Sequence, residues 1–274
     1  MPRLPIVRGL VAAAVLVAVA GTAAAQTPAQ QFARGAWIDL THAFDTDTIY
    51  WPTDEQGFRF EPGRNGPTAA GYYYAANRFA AAEHGGTHLD APRHFGEGRH
   101  TTDEIEPWRL VGEAAVIDVV KKCDANPVYE VTADDLVGWE RDHGRQLVDV
   151  TVLIRTGWSS RWADRHAYLG TAETGPGAVP LLRFPGLAPD AATWLVEHRR
   201  VHAVGIDTAS IDFGPSTGFG AHVALCAANT PIFENIAGLD QLPAQGAFVV
   251  ALPMKIAGGS GGPLRVLARL PDHK

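Results

Sequence analysis

The amino-acid sequence predicts an α/β fold: a single compact domain with a mixed β-sheet and flanking helices. Short, branched, apolar segments recur along the chain, and stretches with helical signals alternate with some of them. About 250 residues follow an N-terminal leader, and hydrophobic residues make up 46% of the sequence, which is enough to bury a substantial core. No linker, charge block or repeat divides this length, so one domain over residues 26–274 is expected.

The strands are predicted from β-branched and aromatic runs, and the helices from their capping residues. A run rich in aromatic residues, 72–79, is expected to be a strand that leads into the histidine-rich segment described below. The other predicted strands are 114–120, 150–155, 202–207, 247–252 and 264–270. Thr132, with Asp135 three positions later, predicts a helix start, and Pro189 opens a second helix. Residues 170–186, rich in glycine and proline, predict a long exposed loop.

The first 25 residues have the pattern of a secretory signal peptide. Arg3 and Arg8 precede the apolar run 9–20, and small residues at 23–25 suit a signal peptidase. The run is shorter than the ~20 residues that span a bilayer, so an uncleaved anchor is the weaker alternative. We therefore expect a periplasmic or secreted protein that does not contact the membrane once the signal is removed.

Charge and cysteine content limit the possible partners. Loss of Arg3 and Arg8 with the leader takes the formal net charge from -7 to -9, and no basic cluster follows. A nucleic-acid partner is therefore not expected. Cys123 and Cys226 are the only cysteines, and in an oxidising compartment they could form a disulfide or remain two buried thiols.

The segment 84–94 gathers three imidazoles and one carboxylate within eleven residues. His84, His88, Asp90 and His94 all have even numbers, so an extended chain would direct all four side chains to one face. Neutral imidazole nitrogens with one carboxylate oxygen suit zinc, manganese or iron(II). Gathering ionisable groups on one face costs desolvation energy that packing alone does not explain, so the segment predicts a metal or catalytic site.

Two further candidate ligands lie downstream. His222 falls inside an apolar helical stretch, 221–228, and Glu234 directly follows the strand-like triplet 231–233. The polar stretch 207–212 ends a predicted strand, where α/β proteins often place active-site loops. From the residues alone, each of these features could instead be structural.

Together these residues resemble the cyclase family of metal-dependent hydrolases, which includes bacterial kynurenine formamidases and isatin hydrolases. The family signature His-x-Gly-Thr-His-x-Asp-x-Pro-x-His matches residues 84–94. The other matching motifs are 38–42, 50–52, 205–212, 234–236, 242–243 and 262–265. The resemblance implies a fold of the swivelling β/β/α type and a homodimer or higher homo-oligomer.

The resemblance also assigns roles to the candidate residues. It implies that His84, His88 and Asp90 are metal ligands and that His94 is catalytic. His222 and Glu234 match the positions that complete a second metal site in the binuclear formamidases. The bound metal is thus expected to be Mn²⁺ or Zn²⁺, as one or two ions.

Within the family, several details favour the isatin hydrolase branch. Gly85 stands where formamidases usually have Thr, and Thr53 replaces the Gly of their Trp-Pro-Gly turn. The tyrosine-rich segment 71–77 and the signal peptide also resemble that branch. The metal identity and the substrate remain open at this point.

The expected reaction is hydrolysis of a cyclic amide, an isatin-like lactam, to the ring-opened carboxylate. His94 would accept a proton from water and return it to the leaving nitrogen. The candidates for stacking on a small aromatic substrate, which could instead be core aromatics, are Trp51, Tyr72, Tyr73 and Phe213. One alternative is an arylformamidase acting on N-formylkynurenine, and another is an exported metal- or ligand-binding protein without turnover.

Overall fold

The computed structural model describes residues 27–272, and the chain separates into two units, Met1–Arg34 and Gly35–Lys274. In the first unit, the described residues contain one helix, α1 (Pro28–Arg34). The predicted signal peptide, residues 1–25, lies outside the described residues. Across 27–272, none of the helices combines the length and the apolar character needed to cross a membrane.

The second unit is an α/β domain, as predicted. Its strands are β1 (Trp37–Asp39), β2 (Arg59–Glu61), β3 (Asn65–Pro67), β4 (Tyr73–Ala75), β5 (Arg78–Ala80), β6 (His88–Asp90), β7 (Val111–Asp118), β8 (Glu130–Val131), β9 (Thr151–Arg155), β10 (Gly186–Leu187), β11 (Ala203–Ile206), β12 (Ile232–Glu234), β13 (Gln245–Pro253) and β14 (Gly261–Arg269). Its helices are α2 (Val120–Ala125), α3 (Ala133–His143), α4 (Arg165–Leu169), α5 (Pro189–His198) and α6 (Gly220–Ala227).

Within the described chain, eight strands form one mixed sheet in the order β1-β14-β13-β7-β9-β11-β12-β6. The strands β7, β9, β11 and β12 are parallel to one another, and the remaining pairings are antiparallel. The start of β14 also pairs with β6, where Gly261 lies opposite Asp90. This pairing closes seven of the strands into a ring.

The ring separates two hydrophobic clusters because successive strand residues point to opposite faces. Leu89, Leu153 and Phe233 belong to a cluster to which all seven ring strands contribute, so this cluster fills the interior. Their strand neighbours Val152 and Ile232 belong to the other cluster, which includes residues of α3, α5 and α6. The side chains that flank Leu89 on β6, His88 and Asp90, accordingly lie on the outer, helix-covered face.

Most predicted elements are present, with small changes in their bounds. Thr132 and Asp135 form a capping box at the start of α3, and Pro189 is the first residue of α5. The predicted long strand 72–79 is wrong: the segment forms the short strands β4 and β5 in separate two-stranded ribbons. Most of its side chains are exposed, so no neighbouring layer covers a longer strand.

Two further expectations change. Residues 170–186 are not wholly an exposed loop, because Leu182 and Phe184 are fully buried beside Trp158 and Tyr168. The disulfide alternative is wrong, since Cys123 and Cys226 are both free and buried. Burial raises the pKa of Cys123 to about 12 and that of Cys226 to about 11, so both remain thiols at neutral pH.

Gly85 and Gly86 allow two aromatic rings to pack against the start of the histidine-rich segment. A Cβ at Gly85 would lie 2.1 Å from the ring of Tyr50, and one at Gly86 would lie 2.6 Å from the ring of Phe44. Gly86 also has a φ of +59°, which disfavours other residues. The amide of Gly86 donates to the carbonyl of Ile49 at 2.9 Å, which joins the two segments.

We therefore expect Gly85→Ala to lower the free energy of unfolding by about 1–3 kcal/mol, because the added methyl group overlaps the buried Tyr50 ring. Chemical denaturation measured by fluorescence would test this. Gly177→Ala is the matched control, since a Cβ at Gly177 meets nothing within 4 Å and should leave stability within about 0.5 kcal/mol. Equal stability of the Gly85→Ala and Gly177→Ala variants would contradict the packing of the Tyr50 ring on Gly85.

Candidate metal centre

The centre is built on β6, which pairs antiparallel with β12 on one side and with the start of β14 on the other. In the register of β12 with β6, Glu234 lies opposite His88 and Ile232 lies opposite Asp90. The outer faces of these two strands therefore bring an imidazole and two carboxylates together. Helix α6 packs above them and supplies His222, which is buried with the rest.

His84, His88 and Asp90 form a compact group whose potential ligand atoms lie within 4.8 Å of one another. Asp90 Oδ1 is 2.7 Å from His84 Nδ1 and 3.2 Å from His88 Nε2. Two imidazole nitrogens and a carboxylate oxygen are a donor set that zinc and similar ions bind. This group can hold a divalent metal ion.

His222 and Glu234 join the same cluster, although they lie far from it in the sequence. His222 Nε2 is 3.3 Å from Asp90 Oδ2 and 3.2 Å from Glu234 Oε1. Glu234 Oε2 is in turn 3.4 Å from His88 Nε2. All five predicted metal ligands thus converge around the Asp90 carboxylate, and whether they hold one ion or two stays a prediction.

His94 reaches the cluster from a short 3₁₀ helix, Pro92–His94, and not from an extended strand. Its ring stacks on that of His84, with the centroids 3.8 Å apart, and lies 5.8 Å from the ring of His222. Partial burial, only partly opposed by the charge of Asp90, lowers the pKa of His94 to about 4. A neutral imidazole at pH 7 can accept a proton. Asp90, His94 and His222 also form a second possible metal-binding group, so the geometry is compatible with either role for His94.

The pKa values within the cluster show that its buried carboxylates stabilise positive charge on the neighbouring imidazoles. Burial would lower the pKa of His88, but Asp90 and Glu234 outweigh it and raise this pKa to about 9. Burial likewise opposes a charged His222, yet Asp212, Asp90 and Glu234 raise its pKa well above the usual value. Protons on these imidazoles balance the buried carboxylates in the absence of an ion. A divalent cation would supply the same balance, so its binding should release protons.

Groups around the cluster orient two of the imidazoles. Asp212 accepts a hydrogen bond from His222 Nδ1 at 2.7 Å and others from the backbone amides of Ala221 and His222. His88 Nδ1 donates to the carbonyl oxygen of Gly86 at 3.0 Å. Each contact leaves Nε2 of the same ring facing the carboxylates. Sequence analysis placed Asp212 in a family motif but assigned it no role.

A cavity of about 340 Å³ opens onto the cluster, and four aromatic side chains besides the histidines line it. Of the predicted stacking residues, Trp51 lines it, whereas Tyr72, Tyr73 and Phe213 are outside the lining. Tyr72 and Tyr73 are 61% and 67% exposed at the β3–β4 ribbon, so their contact with a substrate stays a prediction.

The aromatic walls that sequence analysis missed are Tyr50, Phe95 and Phe219. Phe95 directly follows His94, and Phe219 lies three residues before His222, one helical turn away. The ring centroids of Phe95 and Phe219 are 5.4 Å apart, and that of Trp51 is 6.4 Å from Phe219. Adjacency to the predicted site residues is the sequence signal that could have identified them.

Comparisons with known proteins agree with one another on the family that this chain resembles. Residues 38–213 match the family described as "Putative cyclase". An isatin hydrolase from Roseibium aggregatum is 36% identical over 209 residues, covering 73% of this chain and 77% of that protein. A kynurenine formamidase from Bacillus cereus is 27% identical over 233 residues, covering 85% of this chain and 97% of that protein.

The solved structures that resemble the chain include further isatin hydrolases. One, bound to the product analogue thioisatinate, superposes with a TM-score of 0.79 at 31% identity and covers 89% of this chain and 96% of its own. Isatin hydrolase A from Ralstonia solanacearum gives a TM-score of 0.78 at 33% identity, covering 91% and 99%. With the family match and the five converging side chains, these findings show that the chain belongs to the cyclase family of metal-dependent hydrolases.

Proposed function

We propose that the protein hydrolyses a cyclic amide, an isatin-like lactam, to the ring-opened carboxylate. The observation that carries this proposal is the opening of an aromatic cavity of about 340 Å³ directly onto the His84, His88 and Asp90 group. A cavity of this size fits a small bicyclic molecule. The names of the relatives support the same chemistry, since they include isatin hydrolases.

Different side chains of the chain would bind the substrate, hold the metal ion and transfer the proton. Trp51, Phe95 and Phe219 hold the aromatic ring of the substrate and keep water away from it. A divalent ion bound by the cluster would polarise the scissile carbonyl and lower the pKa of water. His94, neutral at pH 7, accepts a proton from the water whose oxygen bonds to the carbonyl carbon, and it delivers that proton to the nitrogen as the carbon–nitrogen bond breaks.

We propose Mn²⁺ or Zn²⁺ as the metal, as one or two ions. The five proposed ligands offer imidazole nitrogens and carboxylate oxygens and no sulfur, and this mixture suits both metals. His84, His88 and Asp90 are the proposed primary ligands. His222 and Glu234 would contribute to the same ion or complete a second site.

An arylformamidase acting on N-formylkynurenine is the second candidate, favoured by the formamidases among the relatives. Both substrates place a hydrolysable carbonyl next to an aromatic amine. The third candidate, an exported metal- or ligand-binding protein without turnover, would use the same histidines but would hydrolyse neither substrate.

Metal removal tests the proposed function. Because the buried carboxylates converge on the proposed ion, we expect a chelator to abolish hydrolysis of isatin and added Mn²⁺ or Zn²⁺ to restore it. Activity toward isatin, N-formylkynurenine and an aryl lactone, followed by absorbance, would rank the candidate substrates. Full activity of the metal-free protein would contradict metal dependence. A metal-loaded protein that hydrolyses none of the panel would favour the non-catalytic alternative.

Substitution of His94 tests the assignment of the proton carrier. His94→Ala should retain the metal and lose turnover by about 10²- to 10⁴-fold, because proton transfer by a positioned side chain typically contributes that much. Metal content by elemental analysis beside kcat would check both parts. His166→Ala, at an exposed histidine of α4, is the matched control and should keep both. Loss of metal from His94→Ala would instead make His94 a ligand.

We also propose that the protein is exported to the periplasm or secreted. The support is the charged, apolar and small-residue pattern of residues 1–25, which predicts a cleavable signal peptide.

We propose in addition that the chain forms a homodimer or a higher homo-oligomer. The segment from β2 to β5 exposes several large aromatic side chains, and such patches often mark interaction sites. These exposed side chains are Phe60, Tyr72, Tyr73, Tyr74 and Phe79. Contact with a second subunit would give Tyr72 and Tyr73 the aromatic partners that their own subunit's cavity does not offer them.

The double substitution Tyr72→Ser with Tyr73→Ser should weaken this assembly, because it removes two of the most exposed aromatic surfaces. Light scattering during size-exclusion chromatography would show a lower mass at micromolar concentration than the wild type has. Val137→Ser, at an exposed apolar residue of α3, is the control and should not change the mass. A monomeric wild type would contradict the proposed assembly.

A further inference from the structure

We infer that Glu83 and Ser260 are positioning residues that hold the proton of His84 on Nε2, so that its Nδ1 is the nitrogen offered to a metal ion. The inference rests on the proposed metal-dependent function and adds two residues to that site. Neither residue was a candidate in the sequence analysis, and Ser260 lies 176 positions from His84.

The hydrogen bonds among the three side chains have one consistent direction. Ser260 donates to Glu83 Oε2 twice, from its backbone amide at 3.0 Å and from its hydroxyl at 2.5 Å. A serine hydroxyl has a single hydrogen, and here the carboxylate of Glu83 takes it. The Ser260 oxygen, 2.9 Å from His84 Nε2, can then only accept, so the ring must donate from Nε2.

In the neutral ring, the other nitrogen then carries the lone pair. His84 Nδ1 lies 2.7 Å from Asp90 Oδ1, within the group of atoms that can hold a metal ion. A lone pair facing a carboxylate at this distance is unfavourable unless a positive charge lies close to both atoms. The Glu83–Ser260 pair therefore prepares His84 for a cation.

The backbone fixes Ser260 where this contact requires it. The amide of Ala91, the residue after Asp90, donates to the Ser260 carbonyl at 2.8 Å. Gly261, the first residue of β14, pairs with Asp90, and a Cβ at Gly261 would lie 2.5 Å from His84 Cε1. The imidazole thus packs directly on the backbone of β14, and the strand pairing that closes the ring also places the serine.

The three proposed histidine ligands differ in the hydrogen bond made by their outer nitrogen, the ring nitrogen that faces away from the carboxylates of the cluster. His88 donates to a backbone carbonyl and His222 to a fully buried carboxylate, Asp212. The side chain of His84 is 24% exposed, and its outer contact is a neutral hydroxyl that depends on Glu83 for its direction. His84 should therefore be the ligand most sensitive to a change in its outer partners.

The test measures Mn²⁺ affinity of the purified full-length protein by electron paramagnetic resonance of free Mn²⁺. Ser260→Ala and Glu83→Gln should each weaken binding by about 10- to 100-fold, as is typical when an outer partner of a ligand is lost. The double variant should bind no more weakly than the weaker single variant, because both act through one hydrogen-bonded chain. Ser160→Ala, at a serine whose hydroxyl donates to Gly157 O away from the cluster, is the control.

Thermal unfolding of the metal-free variants separates positioning from folding. The metal-free midpoints should match that of the wild type while the bound-Mn²⁺ spectrum changes, since a purely structural role would shift the midpoint instead. Wild-type affinity in both single variants would overturn this inference and leave the proposed function intact. A wild type that binds neither Mn²⁺ nor Zn²⁺ would overturn both.

Discussion

The pairing of β6 with β12 on one side and β14 on the other is the constraint on which the site depends. Because side chains alternate along a strand, Leu89 and Phe233 face the interior of the ring, while His88, Asp90 and Glu234 face α6. A slip of β6 by one residue would bury His88 and Asp90 in the apolar interior, and a slip of β12 would bury Glu234 there. The hydrophobic pattern that fixes the fold therefore also fixes which groups meet at the centre.

The cost of this arrangement is a pair of carboxylates buried a few ångströms apart. Burial and the charge of Asp90 raise the pKa of Glu234, while His88 and His222 hold the pKa of Asp90 well below its usual value. Packing alone would not retain such a group, since removing charges from water is expensive unless they are paired. The imidazoles around it supply the positive charge, and a bound cation would supply it more strongly. The two buried carboxylates therefore account both for the shifted pKa values of the site and for its capacity to bind a cation.

Several parts of the fold and of the candidate site could be predicted from the sequence, and particular residues show why. The signature 84–94 identified four groups of the centre because local spacing carried them, and capping by Thr132 gave the start of α3. The extended path assumed for 84–94 was only partly right, since Pro92 begins a 3₁₀ helix and His94 arrives by stacking on His84. Tyr72 and Tyr73 were candidates for stacking on the substrate because of their residue type, and the chain exposes them on a ribbon outside the cavity. Ser260 was inaccessible, because only the closure of the ring brings it to His84.

The Gly85 position links this geometry to the shape of the cavity. The ring of Tyr50 occupies the space that any side chain at position 85 would need, and both residues line the cavity beside His84. A larger residue at 85 would have to displace that ring, so the identities of the two positions depend on each other. The absence of a side chain at 85 is therefore a property of the substrate cavity as well as of the backbone.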